Sequence, residues 1–227
     1  MAIETKKQAN ISSKKTEWFR NRLADWSKDN LRKYPWRNTT EPYEILIAEF
    51  LLQRTDADTV KPIYEKFLVC YPTLDLLTTA KLEDIADILQ PLGLFFRAER
   101  LLKTSQVITA EYNGQVPSSE AELLKLPGIG KYTARAICSQ AFAQPAAVMD
   151  TNVARILERF FGIKGERVKS RCKILWQAAE TIAPKQQVGL WNLTLLDFGA
   201  LICTARKPKC SNCSISKRCG YFNDAAN

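Results

Sequence analysis

There is no histidine in this chain of 227 residues. That absence excludes a serine-histidine-aspartate triad, a histidine-ligated zinc hydrolase and an imidazole general base. Acid-base chemistry must then rest on carboxylates, lysine, tyrosine or cysteine. No run of 18 or more apolar residues occurs, and the opening Met1-Ala2-Ile3-Glu4-Thr5-Lys6-Lys7 lacks the apolar stretch of a secretory signal. The expectation is a cytoplasmic, nucleoid-associated protein with no membrane partner. Strand-like alternation bounded by turn residues is scarce, so an all-α fold is expected. Negative charge is also short: 24 Asp and Glu stand against 33 Lys and Arg, a net charge of +9. Such a surplus suits an anionic partner, nucleic acid ahead of a membrane surface.

What is present is 46% hydrophobic, enough for a good core in one domain or two small interleaved ones. Residues 1–15, with Lys6, Lys7, Lys14 and Lys15, read as a flexible basic arm, either a solvated tail or one that meets phosphates. From Phe19 onward the pattern is helical. Val60, Ile63, Tyr64 and Phe67 recur at steps of three and four, as do Leu82, Ile85, Ile88 and Leu89, and Val153, Ile156, Leu157 and Phe160. Ser119 and Glu122 are spaced as a capping box. Breaks fall near Tyr34-Pro35-Trp36, Tyr71-Pro72, Pro91-Leu92-Gly93, Asn113-Gly114 and Ala143-Gln144-Pro145.

Between two helical segments lies Leu126-Pro127-Gly128-Ile129-Gly130-Lys131-Tyr132-Thr133-Ala134. Its two glycines permit backbone angles that other residues resist, so it is either a plain tight turn or a hairpin offering N–H groups to a phosphate at a helix start. Lys131 adds charge. A nucleotide-binding P-loop is excluded by Lys125 where its first glycine belongs, and the dinucleotide fingerprint fails at Thr133. Twenty residues past Gly130 stands Asp150, between an apolar run and a new amphipathic helix. It reads first as a helix N-cap; a carboxylate there is also suited to face the cationic sugar that forms when an N-glycosidic bond breaks.

Seven cysteines, an odd number gathered toward one end, argue against a disulfide framework. Cys203, Cys210, Cys213 and Cys219 have the spacing Cys-x6-Cys-x2-Cys-x5-Cys, which suits tetrahedral zinc or a cubane iron-sulfur cluster. Cys70, Cys138 and Cys172 sit in apolar helical settings and read as core residues.

The hairpin sequence followed by Val148-Met149-Asp150-Thr151-Asn152-Val153 resembles the signature of the endonuclease III superfamily of helix-hairpin-helix DNA glycosylases. The resemblance continues in Tyr34-Pro35-Trp36, in Glu49-Phe50-Leu51-Leu52-Gln53-Arg54-Thr55 and in Leu196-Asp197-Phe198-Gly199-Ala200-Leu201-Ile202-Cys203, nearly the whole chain beyond the arm. It implies a two-lobed all-α fold: a helical barrel over residues 41–146, a second domain from 16–40 and 147–227, and a catalytic cleft between them. It also implies a 4Fe-4S cluster on the four cysteines, in place of zinc. Double-stranded DNA with a mismatched base is the implied partner, and a monomer the implied state.

Members that also cleave the strand carry a lysine two positions after the second hairpin glycine. Here that position is Tyr132, and Lys131 is rotated from it by about 100° on a helix. A monofunctional glycosylase is therefore expected, with Asp150, Glu49 and Tyr132 as catalytic residues. Gly128, Gly130, Lys131, Thr133, Gln53 and Arg54 are expected at DNA, Gln53 and Arg54 as the segment that fills the space of an extruded base. Tyr132 and the segments around Glu49 and Cys203 look like the archaeal-type thymine glycosylases that act on G/T mismatches and accept uracil. Glu49 alone would also suit the adenine glycosylases, although these usually carry serine at the Tyr132 position and an aromatic Gly-Tyr-Tyr-Ala-Arg-Ala segment where this chain has Leu92-Gly93-Leu94-Phe95-Phe96-Arg97-Ala98. A noncatalytic iron-sulfur DNA-binding protein is the alternative of another class.

Overall fold

The structure, a computed structural model, describes residues 11–93 and 96–225. Most of the expected basic arm, residues 1–10, lies outside the described residues. Every regular element among the described residues is helical: α1 (Ser13–Asn30), α2 (Pro42–Leu51), α3 (Ala57–Cys70), α4 (Leu74–Thr78), α5 (Leu82–Leu89), α6 (Phe96–Glu111), α7 (Glu120–Leu123), α8 (Lys131–Ala141), α9 (Thr151–Phe161), α10 (Lys173–Ile182), α11 (Val188–Leu201) and α12 (Gly220–Ala225), with short 3-10 turns between some of them. None of these helices is long and apolar enough to cross a membrane. Ser13, Lys14 and Lys15, expected within the arm, instead form the first turn of α1. Lys15 is held there by donating to the Phe160 carbonyl (2.9 Å) while lying over the Phe160 ring.

The chain divides into two compact units, residues 33–144 and residues 1–32 with 145–227. In the first, α2 is buried from Ile45 through Leu51 and so reads as apolar on every face. It packs on α8, α3 and α6. Residues 33–40 belong to this unit, not to the terminal segments as expected. Tyr34 stacks on Trp36 at 4.8 Å, Trp36 meets Tyr64 of α3 edge-on at 5.3 Å, and the Tyr34 hydroxyl donates to Asp58. The capping box takes a variant form: the Ser119 Oγ accepts from the Glu122 N–H and donates to the Glu122 carboxylate.

The second unit is organised around α9, whose Val153, Ile156, Leu157 and Phe160 are all buried as their spacing predicts. α10, α11 and α12 pack on it. From α1, Phe19 and Leu23 enter the same core, Phe19 meeting Phe160 at 4.6 Å and Trp191 at 5.8 Å. Arg20 ties α1 to the end of α10 by donating to the carbonyls of Thr181, Ile182 and Ala183, groups that a helix terminus leaves without partners. The carboxylate of Asp197, fully buried, accepts from the Arg32 Nε (2.7 Å) and main-chain N–H (2.8 Å). Cys138 and Cys172 are buried as expected, but Cys70 ends α3 facing outward and is exposed.

Candidate active site

The hairpin belongs to the unit of residues 33–144. Gly128 has φ +79°, the left-handed region, and a Cβ there would stand 3.1 Å from the Phe50 ring and 3.3 Å from Arg100. Glycine is required twice over. Gly130 differs from expectation: its φ of −100° is open to any residue, and a Cβ would meet nothing within 4 Å. It caps α8 without a side chain, leaving room in front of the helix start. The carbonyls behind it are engaged, Pro127 accepting from the Thr104 hydroxyl (2.7 Å) and Gly128 from the Gln53 amide (3.1 Å). Lys131 and Tyr132 open α8, exposed and half-buried respectively. The Thr133 side chain is buried, so only its main-chain N–H can serve an outside phosphate.

Glu49 and the turn bearing Gln53 and Arg54 lie in the same unit. Glu49, on α2, is 6% exposed, and its carboxyl has no hydrogen-bond partner among the described residues. Burial pushes its pKa up to about 8. At neutral pH it therefore holds a proton and is a donor. Gln53 is half-buried and Arg54 exposed, just past the end of α2.

Asp150 stands in the other unit, where its reading as a helix cap holds. It is the N-cap of α9, accepting from the Val153 N–H (2.8 Å). Its second oxygen accepts from the Asn152 amide (2.7 Å). Asn152 in turn accepts from Arg155, which also donates to the carbonyls of Gly199 and Cys203. Burial raises the Asp150 pKa, while the two hydrogen bonds and the Arg155 charge oppose the rise. Upstream, the buried Asn192 side chain accepts from the Val148 N–H (3.1 Å) and donates to the Ala146 carbonyl (2.9 Å), fixing the strand-like approach to Asp150.

Cys203, Cys210, Cys213 and Cys219 line one cavity in this unit, with Ile156, Phe198 and Ile215 among its apolar walls. None is in a disulfide. Burial pushes the Cys213 thiol up to about 11, with the three other cysteines adding to the rise. Thiols gathered in one cavity become a ligand set once iron supplies positive charge. No three His, Cys, Asp or Glu side chains converge on one point as a single ion requires, among the described residues. Arg159 braces the loop, donating to the Thr204 and Ala205 carbonyls and lying 3.5 Å from the Cys203 sulfur.

Two family models match this chain: the HhH-GPD superfamily of base excision DNA repair proteins over residues 47–181, and the iron-sulfur binding domain of endonuclease III over residues 203–219. The chain belongs to the HhH-GPD superfamily. It carries the superfamily's DNA glycosylase fold and a 4Fe-4S site on the four cysteines. It is 45% identical to a thymine/uracil-DNA glycosylase of Methanothermobacter thermautotrophicus over 88% of this chain and 90% of that one. An adenine DNA glycosylase of Buchnera aphidicola is 37% identical over 91% of this chain but only 59% of its own length. The structure of a thermostable thymine-DNA glycosylase matches with a TM-score of 0.89 and 40% identity, covering 93% of this chain and 98% of that one.

Asn152, Arg155 and Asn192 escaped the sequence reading. The first two left a trace, since residues 152 and 155 share a helix face directly after Asp150. Asn192 left none, because its two partners lie more than 40 residues away.

Proposed function

We propose that this HhH-GPD protein removes thymine, and uracil, opposite guanine from double-stranded DNA, hydrolysing the N-glycosidic bond and leaving an abasic site. The likeness to the thymine/uracil-DNA glycosylase, which extends over nearly all of both chains, carries the choice of base. The hairpin grips the backbone: the open space before Gly130 admits a phosphate to the first turn of α8, and Lys131 adds its charge. A mismatched base is extruded more cheaply than a paired one. As its bond to the sugar breaks, positive charge gathers at C1′, and the Asp150 carboxylate stabilises it. Water adds its oxygen to C1′ and gives up a proton to solvent, while the bonding electrons leave with the base. Glu49, protonated near neutrality, donates toward the departing base. Tyr132 stands where strand-cleaving relatives carry lysine, so no Schiff base forms. Every residue in this scheme comes from one chain, acting as a monomer on nucleoid DNA in the cytoplasm.

The test is to incubate the protein with matched duplexes carrying G/T, G/U, A/G or A/8-oxoguanine and then cleave abasic sites with alkali. Release from G/T and G/U is expected. One observation favours a second reading, adenine release: Glu49 is neutral and can give a proton to a purine. Faster cleavage of the A/8-oxoguanine duplex would establish it. Release from none of the four would leave the noncatalytic DNA-binding alternative.

A further inference from the structure

The turn after α2 rests on a buried cation. α2 ends at Leu51, and the chain passes through Leu52, Gln53, Arg54 and Thr55 before Asp56 caps α3 by accepting from the Thr59 N–H. Arg54 is held at φ +59°, a left-handed conformation unfavourable to a residue with a side chain. Arg97, in the first turn of α6, is 1% exposed. Its Nη1 donates to the Leu51 carbonyl (2.9 Å), and its Nη2 to the Gln53 carbonyl (2.6 Å) and the Thr55 hydroxyl (3.0 Å). Its Nε has no acceptor, and no carboxylate pairs with it, among the described residues.

Burying a cation against neutral oxygens carries a heavy desolvation penalty, and an apolar side chain of similar volume would fill the space without it. What the guanidinium supplies is geometry. Its planar fork reaches alternate residues 51, 53 and 55, and so fixes the whole turn. From the other direction the Gln53 amide is tied to the Gly128 carbonyl of the hairpin. Clamped by both, the turn leaves the Arg54 side chain exposed.

We infer that Arg97 is a positioning residue for base extrusion: it sets the Gln53-Arg54 turn, before DNA arrives, in the shape that occupies the space of the extruded base. The inference rests on the reading of the chain as a base-extruding glycosylase. Arg97 itself touches no DNA. Holding a strained turn with a buried network is preorganisation, which removes an ordering step from the bound state.

The experiment compares wild type, Arg97→Met and Arg97→Lys, each also combined with Gln53→Ala/Arg54→Ala. One readout is single-turnover base release from a G/T duplex. The other, in an Asp150→Asn background, is the fluorescence rise of 2-aminopurine placed beside the mismatch, which reports unstacking without chemistry. Arg97→Met is expected to slow release about a hundredfold, the scale of a misplacement near 1 Å, and to abolish the fluorescence rise. Arg97→Lys, keeping the charge and N–H donors but not the planar fork, should lose less in both. In the Gln53→Ala/Arg54→Ala background, Arg97→Met should change neither readout further. Additive losses, or an unchanged fluorescence rise, would overturn the proposal. So would failure of both Arg97 variants to fold, as judged by thermal melting, since the role would then be structural. If wild type unstacks the duplex but releases no base, the glycosylase reading fails while the fluorescence comparison still decides the role of Arg97.

Discussion

The two units treat their central carboxylates in opposite ways. In residues 33–144, Glu49 is buried and nothing opposes the effect of burial. In the unit built from the chain's two ends, Asp150 is also pushed upward, but a helix N–H, an amide and a nearby guanidinium all favour its charged form. Environment alone can thus divide two carboxylates between the proposed roles of proton donor and charge stabiliser, with no histidine required.

The largest test of that contrast is Asp150→Asn. It keeps the cap geometry and removes the charge, so base release should fall at least about a thousandfold while binding to a mismatched duplex stays within a few fold. Single-turnover assays beside gel-shift titrations measure both, and a loss below tenfold would remove Asp150 from the chemistry. Next is Glu49→Gln, expected to slow release about a hundredfold. Wild-type release should also decline as pH rises through about 8, where Glu49 gives up its proton, and the variant should lose that limb. Stability follows the same group. The folded pKa lies above the ordinary 4.5, so the Glu49 contribution is full below about 4.5 and lost as pH rises through about 8. The melting temperature of Glu49→Gln relative to wild type should therefore climb between pH 4 and pH 9. A constant gap would mean that Glu49 is not isolated as the structure shows.

Asn192→Leu sharpens the other side. It leaves the Val148 N–H and Ala146 carbonyl without their partner, a loss of about 2–4 kcal/mol read by denaturant titration. Release should slow about tenfold, through Asp150, with binding kept. Smallest is Lys131→Ala, which should weaken binding a few fold on every sequence and lower the salt slope by about one. An effect confined to mismatched duplexes would mean that Lys131 reads the lesion and not the backbone.

Periodicity made much of this legible. α9 was readable residue by residue because its apolar spacing is helical and a capping aspartate precedes it. Hidden were features made by distant partners. The edge-on ring contact that draws residues 33–40 toward α3 joins Trp36 to Tyr64, and local pattern places no boundary there. Arg97 looks in sequence like any arginine on a helix, and only its burial reveals the clamp. Gly130 was legible as a glycine but for the wrong reason. Its backbone is ordinary, and the requirement is for the space beyond it. Thr133 lay in the DNA-facing motif, yet the rotation of α8 turns its side chain inward.

The division of the chain also sets an order of assembly. Residues 33–144 are contiguous and can collapse among themselves as soon as they leave the ribosome. α1, made first, has no core to join until α9 and α11 follow it, more than a hundred residues later. Closing that contact early would carry the entropy of a long flexible loop. Cys203 through Cys219 follow α9 and α11 in the chain, so iron can be taken up there only after both helices have been made. Starving cells of iron during synthesis should accordingly leave residues 33–144 protected from proteases while α1 and α9–α12 are cut.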